Sequence, residues 1–161
     1  MTGTTHRVTR QVRFQHCDPA GIVFYPRYFE LLEEIVSTWL AGLTEAGDEA
    51  ALLAAGAGLP RFERIDCRFS RPSLLGDYID YTLEPSAVEP ERLVVDYRVT
   101  CGEEERVAGT AVLRWYRFTP EPAAVEFPPE LVARLAATAG TRNHGGNSGQ
   151  RGGGTSVPDT P

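Results

Sequence analysis

Tyr28-Phe29-Glu30-Leu31-Leu32-Glu33-Glu34-Ile35-Val36-Ser37-Thr38-Trp39-Leu40-Ala41-Gly42-Leu43 carries its apolar residues, Tyr28, Leu31, Leu32, Ile35, Val36, Trp39, Leu40 and Leu43, at steps of three and four. That spacing makes one wide apolar face on a helix. Glu30, Glu33, Glu34 and Thr38 fall on the other side and face water. Pro26 stands just upstream, where the first turn of a helix tolerates proline, and the region from Gly42 to Gly47 ends the pattern. The stretch predicts one long helix buried on one side, so the rest of the chain must supply a surface that covers it.

Residues 61–119 supply it, because every segment there has the period of two that marks half-buried strands. Ile65, Cys67 and Phe69 oppose Arg64, Asp66, Arg68 and Ser70; Ile79, Tyr81 and Leu83 oppose Tyr78, Asp80 and Thr82. Leu93, Val95, Tyr97, Val99 and Cys101 oppose Arg92, Asp96, Arg98 and Thr100, and residues 107–118 read as a last strand, apolar on both faces near 112–115. Turns at 71–76, 84–91 and 102–105 are short enough for hairpins. Before the helix, Val8, Val12 and Phe14 alternate with Arg7, Thr9, Gln11 and Arg13, a strand that stops at His16. A short Ala-rich turn follows the helix at 49–55, and Pro128 and Pro129 open a closing helix over 130–139. The order predicts an α+β fold, an antiparallel sheet of about five strands wrapped around one long helix.

A chain of 161 residues has room for one domain of ordinary size. Its composition, 42% hydrophobic and 24% charged, is that of a soluble globular protein, and its apolar runs fall short of the about 18 residues of a membrane span. All 16 basic residues are Arg, which excludes a Schiff-base lysine, a P-loop lysine and any other catalytic Lys. A net charge of -6 argues against nucleic acid, which needs a basic face to displace counterions. Cys17, Cys67 and Cys101 are odd in number and widely spaced, the pattern of a reducing compartment rather than a disulfide framework. With no secretory apolar stretch near the N-terminus, the expected location is the cytoplasm. From Gly140 onward seven Gly and two Pro accompany one large aliphatic residue, Val157. Residues 140–161 are therefore expected to be a disordered tail beyond a single domain at 1–139.

The densest polar cluster is His16-Cys17-Asp18-Pro19-Ala20-Gly21, between the first strand and the helix. Three adjacent ligands do not make a metal site, because successive side chains of an extended segment diverge, and His6 and His144 sit near the ends. The same divergence separates Cys17 from His16 as a nucleophile pair. No metal and no cofactor are expected. Asp18 is a carboxylate in a turn that feeds the N-terminus of the buried helix, where unpaired N–H groups and the positive dipole end gather. Those donors can polarise a carbonyl while the carboxylate attacks it or activates water against it. The other reading of Asp18 is a turn cap, its oxygens taken up by nearby backbone N–H groups.

The run Phe14-Gln15-His16-Cys17-Asp18-Pro19-Ala20-Gly21-Ile22-Val23-Phe24-Tyr25-Pro26-Arg27-Tyr28-Phe29 closely resembles the active-site segment of the 4-hydroxybenzoyl-CoA thioesterase family, which has the hotdog fold. Arg71-Pro72 and Gly76-Asp77 resemble the turn that enters its third strand, so the resemblance covers residues 7 to 120. It implies that Asp18 is the catalytic carboxylate, that the Tyr25 backbone N–H polarises the thioester carbonyl, and that Gly21 lies in the turn the thioester approaches. It also implies that Glu33 meets the ring substituent of an aromatic acyl group, unless Glu33 is simply part of a solvated face with Glu30 and Glu34. Two positions depart from the family pattern. Phe24 replaces a larger indole in the acyl pocket, and the basic stretch that meets the CoA phosphates aligns with Glu89-Pro90-Glu91 and only then Arg92. Arg64, Arg68 and Arg71 are substitutes for it.

The resulting expectation is an acyl-CoA thioesterase for an aromatic, benzoyl or hydroxybenzoyl type, or short acyl group. The alternatives are a general acyl-CoA or acyl carrier protein thioesterase and a hotdog protein that binds acyl-CoA without hydrolysing it. One curved sheet around one helix leaves an edge unpaired, so a homodimer or homotetramer is expected.

Overall fold

The computed structural model describes residues 5–139. Strands β1 (His6–Gln11), β2 (Leu59–Phe69), β3 (Tyr78–Val88), β4 (Leu93–Cys101) and β5 (Glu104–Arg117) form one antiparallel sheet in the order β1-β3-β4-β5-β2. Helix α1 (Tyr25–Gly42) lies in the curve of this sheet. Its Leu32, Ile35, Val36 and Leu40 pack against the inward-facing Ile79, Tyr81 and Leu83 of β3, Val95 and Val99 of β4, and Ala111, Leu113 and Trp115 of β5. These residues are all buried. Leu40 has no exposed surface, and cutting it to Ala would cost about 2–5 kcal/mol. Helix α2 (Glu49–Ala54) begins at Asp48, whose side chain accepts the Ala51 N–H, and helix α3 (Pro129–Ala139) closes the far end with Leu131 and Leu135.

The fold is thus the expected α+β arrangement, with several corrections. The sheet has six strands, because β6 (Ala123–Val125) pairs with Trp115, Tyr116 and Arg117 at the end of β5. Three residues are too few to show a period. The first strand ends at Gln11, not His16: the Val12 N–H goes to the Asp77 carbonyl, and Phe14–His16 form a 3-10 turn with Phe14 left 84% exposed. Most of the expected turn at 84–91 is strand, because a bulge between Pro85 and Ala87 accommodates the proline. The reversal is confined to Pro90 and Glu91, closed by reciprocal bonds between Glu89 and Arg92 of 2.9 and 3.3 Å. The stretch 140–161, expected to be a tail, lies outside the described residues.

Two features prepare the site. Gly109 lets β2 and β5 approach so closely that a Cβ there would strike the Asp66 carbonyl, and the Tyr97 hydroxyl donates to that same oxygen at 3.0 Å. β2 is an end strand whose apolar residues open only toward its C-terminal end: Leu59 is buried and Ile65 half-buried, but Cys67 is exposed and Phe69 is 37% exposed. The alternation there was expected to be buried.

Candidate active site

Residues 16–24 fold back on themselves just before α1. The Asp18 N–H donates to Ile22 O, Cys17 bridges Val23, and the Phe24 N–H donates to His16 O at 3.0 Å. Gly21, at φ +76°, makes the reversal, and only its backbone conformation demands glycine, since nothing lies near its missing Cβ. Asp18 Oδ1 accepts the Ala20 N–H at 2.9 Å and the Ile22 N–H at 3.4 Å, so the carboxylate does cap its turn. Its second oxygen, Oδ2, has no partner among the described residues and is available to a ligand.

At the start of α1 the donors can be counted. The Phe24 N–H is taken by His16 O, Pro26 has none, and the Arg27 N–H goes to Phe24 O. Among the described residues no acceptor takes the Tyr25 N–H. The one uncommitted donor of that stretch therefore stands at the positive end of an 18-residue helix, beside a turn that carries a half-free carboxylate. A polarised carbonyl with a carboxylate at hand is the chemistry of acyl transfer to water.

The neighbouring titratable groups do not compete. Burial, then the Arg27 and Arg13 guanidiniums, pull the His16 imidazole below its usual range, and its Nδ1 accepts the Arg13 N–H at 3.0 Å. Burial, then the Asp18 charge, push the Cys17 thiol up, and its Sγ points back to Arg13 O. Both side chains are turned toward the Arg13 backbone. Among the described residues no group of His, Cys, Asp and Glu could hold a metal ion.

An open aromatic groove runs from the helix start along β2. Tyr25 packs on Phe69 with ring centroids 4.3 Å apart and planes tilted by 32°, and Phe29 meets the same ring edge-on at 6.2 Å. Phe24, 55% exposed, Tyr25, Leu74 and Leu75 leave the mouth apolar. Glu33 continues the stripe begun by Tyr25 and Phe29, about 12 Å further along the axis. It pairs with Arg61 of β2 at 3.5 Å, whereas Glu30 pairs with Arg27 and Glu34 with Arg10 of β1. The three glutamates thus face different neighbours, and Glu33 is the one that reaches β2.

Of the expected phosphate-binding arginines, Arg64, Arg68 and Arg92 do not join this site within one chain, whereas Arg71 lies just past β2 in the loop at 70–77, paired with Glu104 at 2.9 Å. Arg64 and Arg68 lie on the opposite face of β2 from Phe69, paired with Asp66 at 2.9 Å and Glu105 at 2.8 Å. Arg92 follows the hairpin at the far end of β3, about 33 Å along the strand from the Tyr78 end, beside which Asp18 sits.

Three residues of the site were missed in the sequence. Phe69 reads as an ordinary core position on a strand, Ser73 as a surface turn residue, and Tyr28 as plain helix core. The Tyr28 hydroxyl meets Ser73 in a fully enclosed position. The only available signal was the loop's place between Pro72 and Gly76.

Residues 20–108, more than half of the chain, match the family model described as the thioesterase superfamily. The chain belongs to the thioesterase superfamily. A superfamily member of this kind is a thioester hydrolase, and the match begins two residues after Asp18, so it leaves that residue's role to the geometry. Similar solved structures include a gentisyl-coenzyme A thioesterase (20% identity, TM-score 0.67, covering 81% of this chain and 99% of that one). Another is a 1,4-dihydroxy-2-naphthoyl-CoA thioesterase from Synechocystis (18%, TM-score 0.69, 83% and 96%). A third is the 4-hydroxybenzoyl CoA thioesterase from Pseudomonas sp. strain CBS-3 (17%, TM-score 0.67, 81% and 98%). At these identities the likeness establishes the hotdog fold. No curated protein matches the chain. No described helix is long and apolar enough to cross a membrane.

Proposed function

We propose that this superfamily member hydrolyses aromatic acyl-CoA thioesters of the benzoyl or hydroxybenzoyl type to free acid and CoA. The observation that carries the reading is the uncommitted Tyr25 N–H beside the free oxygen of Asp18, at the mouth of an aromatic groove. The thioester carbonyl oxygen accepts the Tyr25 N–H, and the helix N-terminus stabilises the charge that grows there, an effect worth about 3–4 kcal/mol for one preorganised donor. Asp18 Oδ2 adds to the carbonyl carbon, or takes the proton of a water that does. The carbon–sulfur bond then breaks and the thiolate leaves without needing a strong acid, and on the first route a water hydrolyses the mixed anhydride to release the acid and restore Asp18, so no Ser-His-Asp set is required. Gly21 keeps the turn open for the approach. The acyl ring lies against Phe24, Phe29 and Phe69, and Glu33, held by Arg61, receives a polar ring substituent. The three aromatic acyl-CoA thioesterases named above support this substrate class by their shared fold.

In this proposal the working unit is a homodimer or a higher homo-oligomer. β2 is an end strand whose inner residues Cys67 and Phe69 are uncovered, and Arg92 is too far from Asp18 of its own chain to serve the same substrate. Arg92 meets the CoA phosphates of a site completed by a second copy, with the exposed Arg64 and Arg68 the next candidates. The three free cysteines suit the cytoplasm.

A panel of benzoyl, hydroxybenzoyl, phenylacetyl, acetyl and octanoyl thioesters of CoA, followed by dye detection of released thiol, tests the reading. The aromatic members should exceed acetyl and octanoyl at least tenfold in kcat/KM. Equal rates throughout would indicate a general thioesterase, and no hydrolysis of any member would indicate a binding protein.

A further inference from the structure

We propose that Tyr28 and Ser73 are positioning residues that set the Tyr25 N–H against the Asp18 turn; this rests on the reading of that N–H as the carbonyl's donor. Tyr28 lies one helical turn beyond Tyr25. Its hydroxyl donates to Ser73 Oγ at 2.8 Å and accepts the Ser73 N–H at 3.2 Å, so its proton and a lone pair are both committed to a single residue. Ser73 has no exposed surface and Tyr28 only 3%. Water therefore cannot substitute for either bond.

Ser73 belongs to the loop at 70–77, which joins β2 to β3 and is stitched to the Asp18 turn. The Ser73 carbonyl accepts the Val23 N–H at 2.9 Å, Leu74 bridges Ile22, and the Leu75 N–H donates to Gly21 O at 3.0 Å. The loop is itself held from below: Asp77 accepts the Leu74 N–H at 2.9 Å, and Arg106 donates to Pro72 O at 3.0 Å. On the helix side the Tyr81 hydroxyl, fully buried, donates to the Tyr28 carbonyl at 3.1 Å. Burial holds that hydroxyl protonated far above the usual range, so it remains a donor at any working pH.

The helix start and the turn are joined covalently only through residues 19–24, which include Gly21 with its permissive backbone. The bonds from Tyr28 to Ser73, from Ser73 to Val23 and from Leu75 to Gly21 tie the helix start to the glycine turn by a second, non-covalent path through the loop. Packing alone does not require this, since a phenylalanine would fill the same space. The hydroxyl adds a fixed distance between donor and carboxylate, the quantity on which preorganised catalysis depends.

The test is steady-state kinetics of Tyr28→Phe and Ser73→Ala in the intact protein, on the best thioester of the panel. Tyr28→Phe should lower kcat at least tenfold with KM within twofold of wild type. Ser73→Ala, which keeps the Ser73 N–H bond, should lower kcat several-fold in the same manner, and the double variant should lose no more than Tyr28→Phe alone. Leu131→Val, in α3 at the other end of the helix, supplies the stability control: it should lower the melting temperature and leave kcat unchanged. If Tyr28→Phe fails to fold, Ser73→Ala decides. Wild-type kcat in the folded variants, or the same kcat loss in Leu131→Val at an equal fall in melting temperature, would overturn the inference. A wild-type protein that hydrolyses nothing would instead overturn the reading of the site, and this inference with it.

Discussion

Asp18→Asn separates the two jobs of one side chain. In the turn, Oδ1 accepts the Ala20 N–H at 2.9 Å and the Ile22 N–H at 3.4 Å, and an amide oxygen can keep both. What is lost is the charge assistance, about 1 kcal/mol for the well-formed bond and less for the long one. For a domain of this size the melting temperature should fall by about 2–5 °C. In the reaction the loss is larger, because the free oxygen becomes an NH2 group that is neither a base nor a nucleophile. A positioned general base contributes about 10²–10⁴-fold, so kcat should drop by at least about 100-fold, or about 2.7 kcal/mol. KM should stay within a few-fold, since the groove of Tyr25, Phe29 and Phe69 is untouched. Thiol release on the best aromatic thioester, paired with a melting curve of the same preparation, measures both quantities. A purified variant that melts a few degrees low yet retains kcat within tenfold of wild type would leave Asp18 a turn cap and nothing more.

Ser37 is 5% exposed, and among the described residues its hydroxyl has no partner in the narrow crevice between Glu33, Val36, Pro60, Phe62 and Leu113. Ser37→Ala should therefore stabilise the protein by about 1–2 kcal/mol in a denaturant titration, and a loss of stability would mean that the assembled protein satisfies the hydroxyl. Burial lowers the pKa of both His16 and His6, so the folded protein holds them neutral where the unfolded chain, near pH 6.5, already takes up protons. Their contribution is fully present above that pH and is lost as pH falls through it toward the folded values. The melting temperature should decline between pH 7 and 5.5, less steeply in His16→Asn, whose amide oxygen can still accept the Arg13 N–H; parallel profiles would count against the buried-imidazole account.

Much of this molecule is legible as local pattern. The steps of three and four from Tyr28 to Leu43, and the alternation through Ile79, Val95 and Leu113, state which side of each element is apolar, and a single helix facing a single sheet leaves one way to bury both. The Asp18 turn and the helix start could be placed for the same reason, since Gly21 and Pro26 act on the backbone within a few residues of themselves. Periodicity cannot say which strand lies at the end of the sheet. Ile65, Cys67 and Phe69 alternate as regularly as any core strand, yet at the end of the order β1-β3-β4-β5-β2 only Ile65 packs on the core, and Cys67 and Phe69 are left open beside the helix start. The sheet order likewise sends Arg92 to the opposite end from Asp18 and Arg64 and Arg68 to the outer face, and it buries Ser73, a turn residue by its neighbours, under the Tyr28 hydroxyl. Which donor at the helix start is free was also beyond local reading. The answer depends on His16 O taking the Phe24 N–H, a bond that exists only once the chain has doubled back. Side-chain pattern is written residue by residue, but the pairing of backbone groups, and so what remains unpaired for a substrate, is settled by segments far apart in sequence coming together.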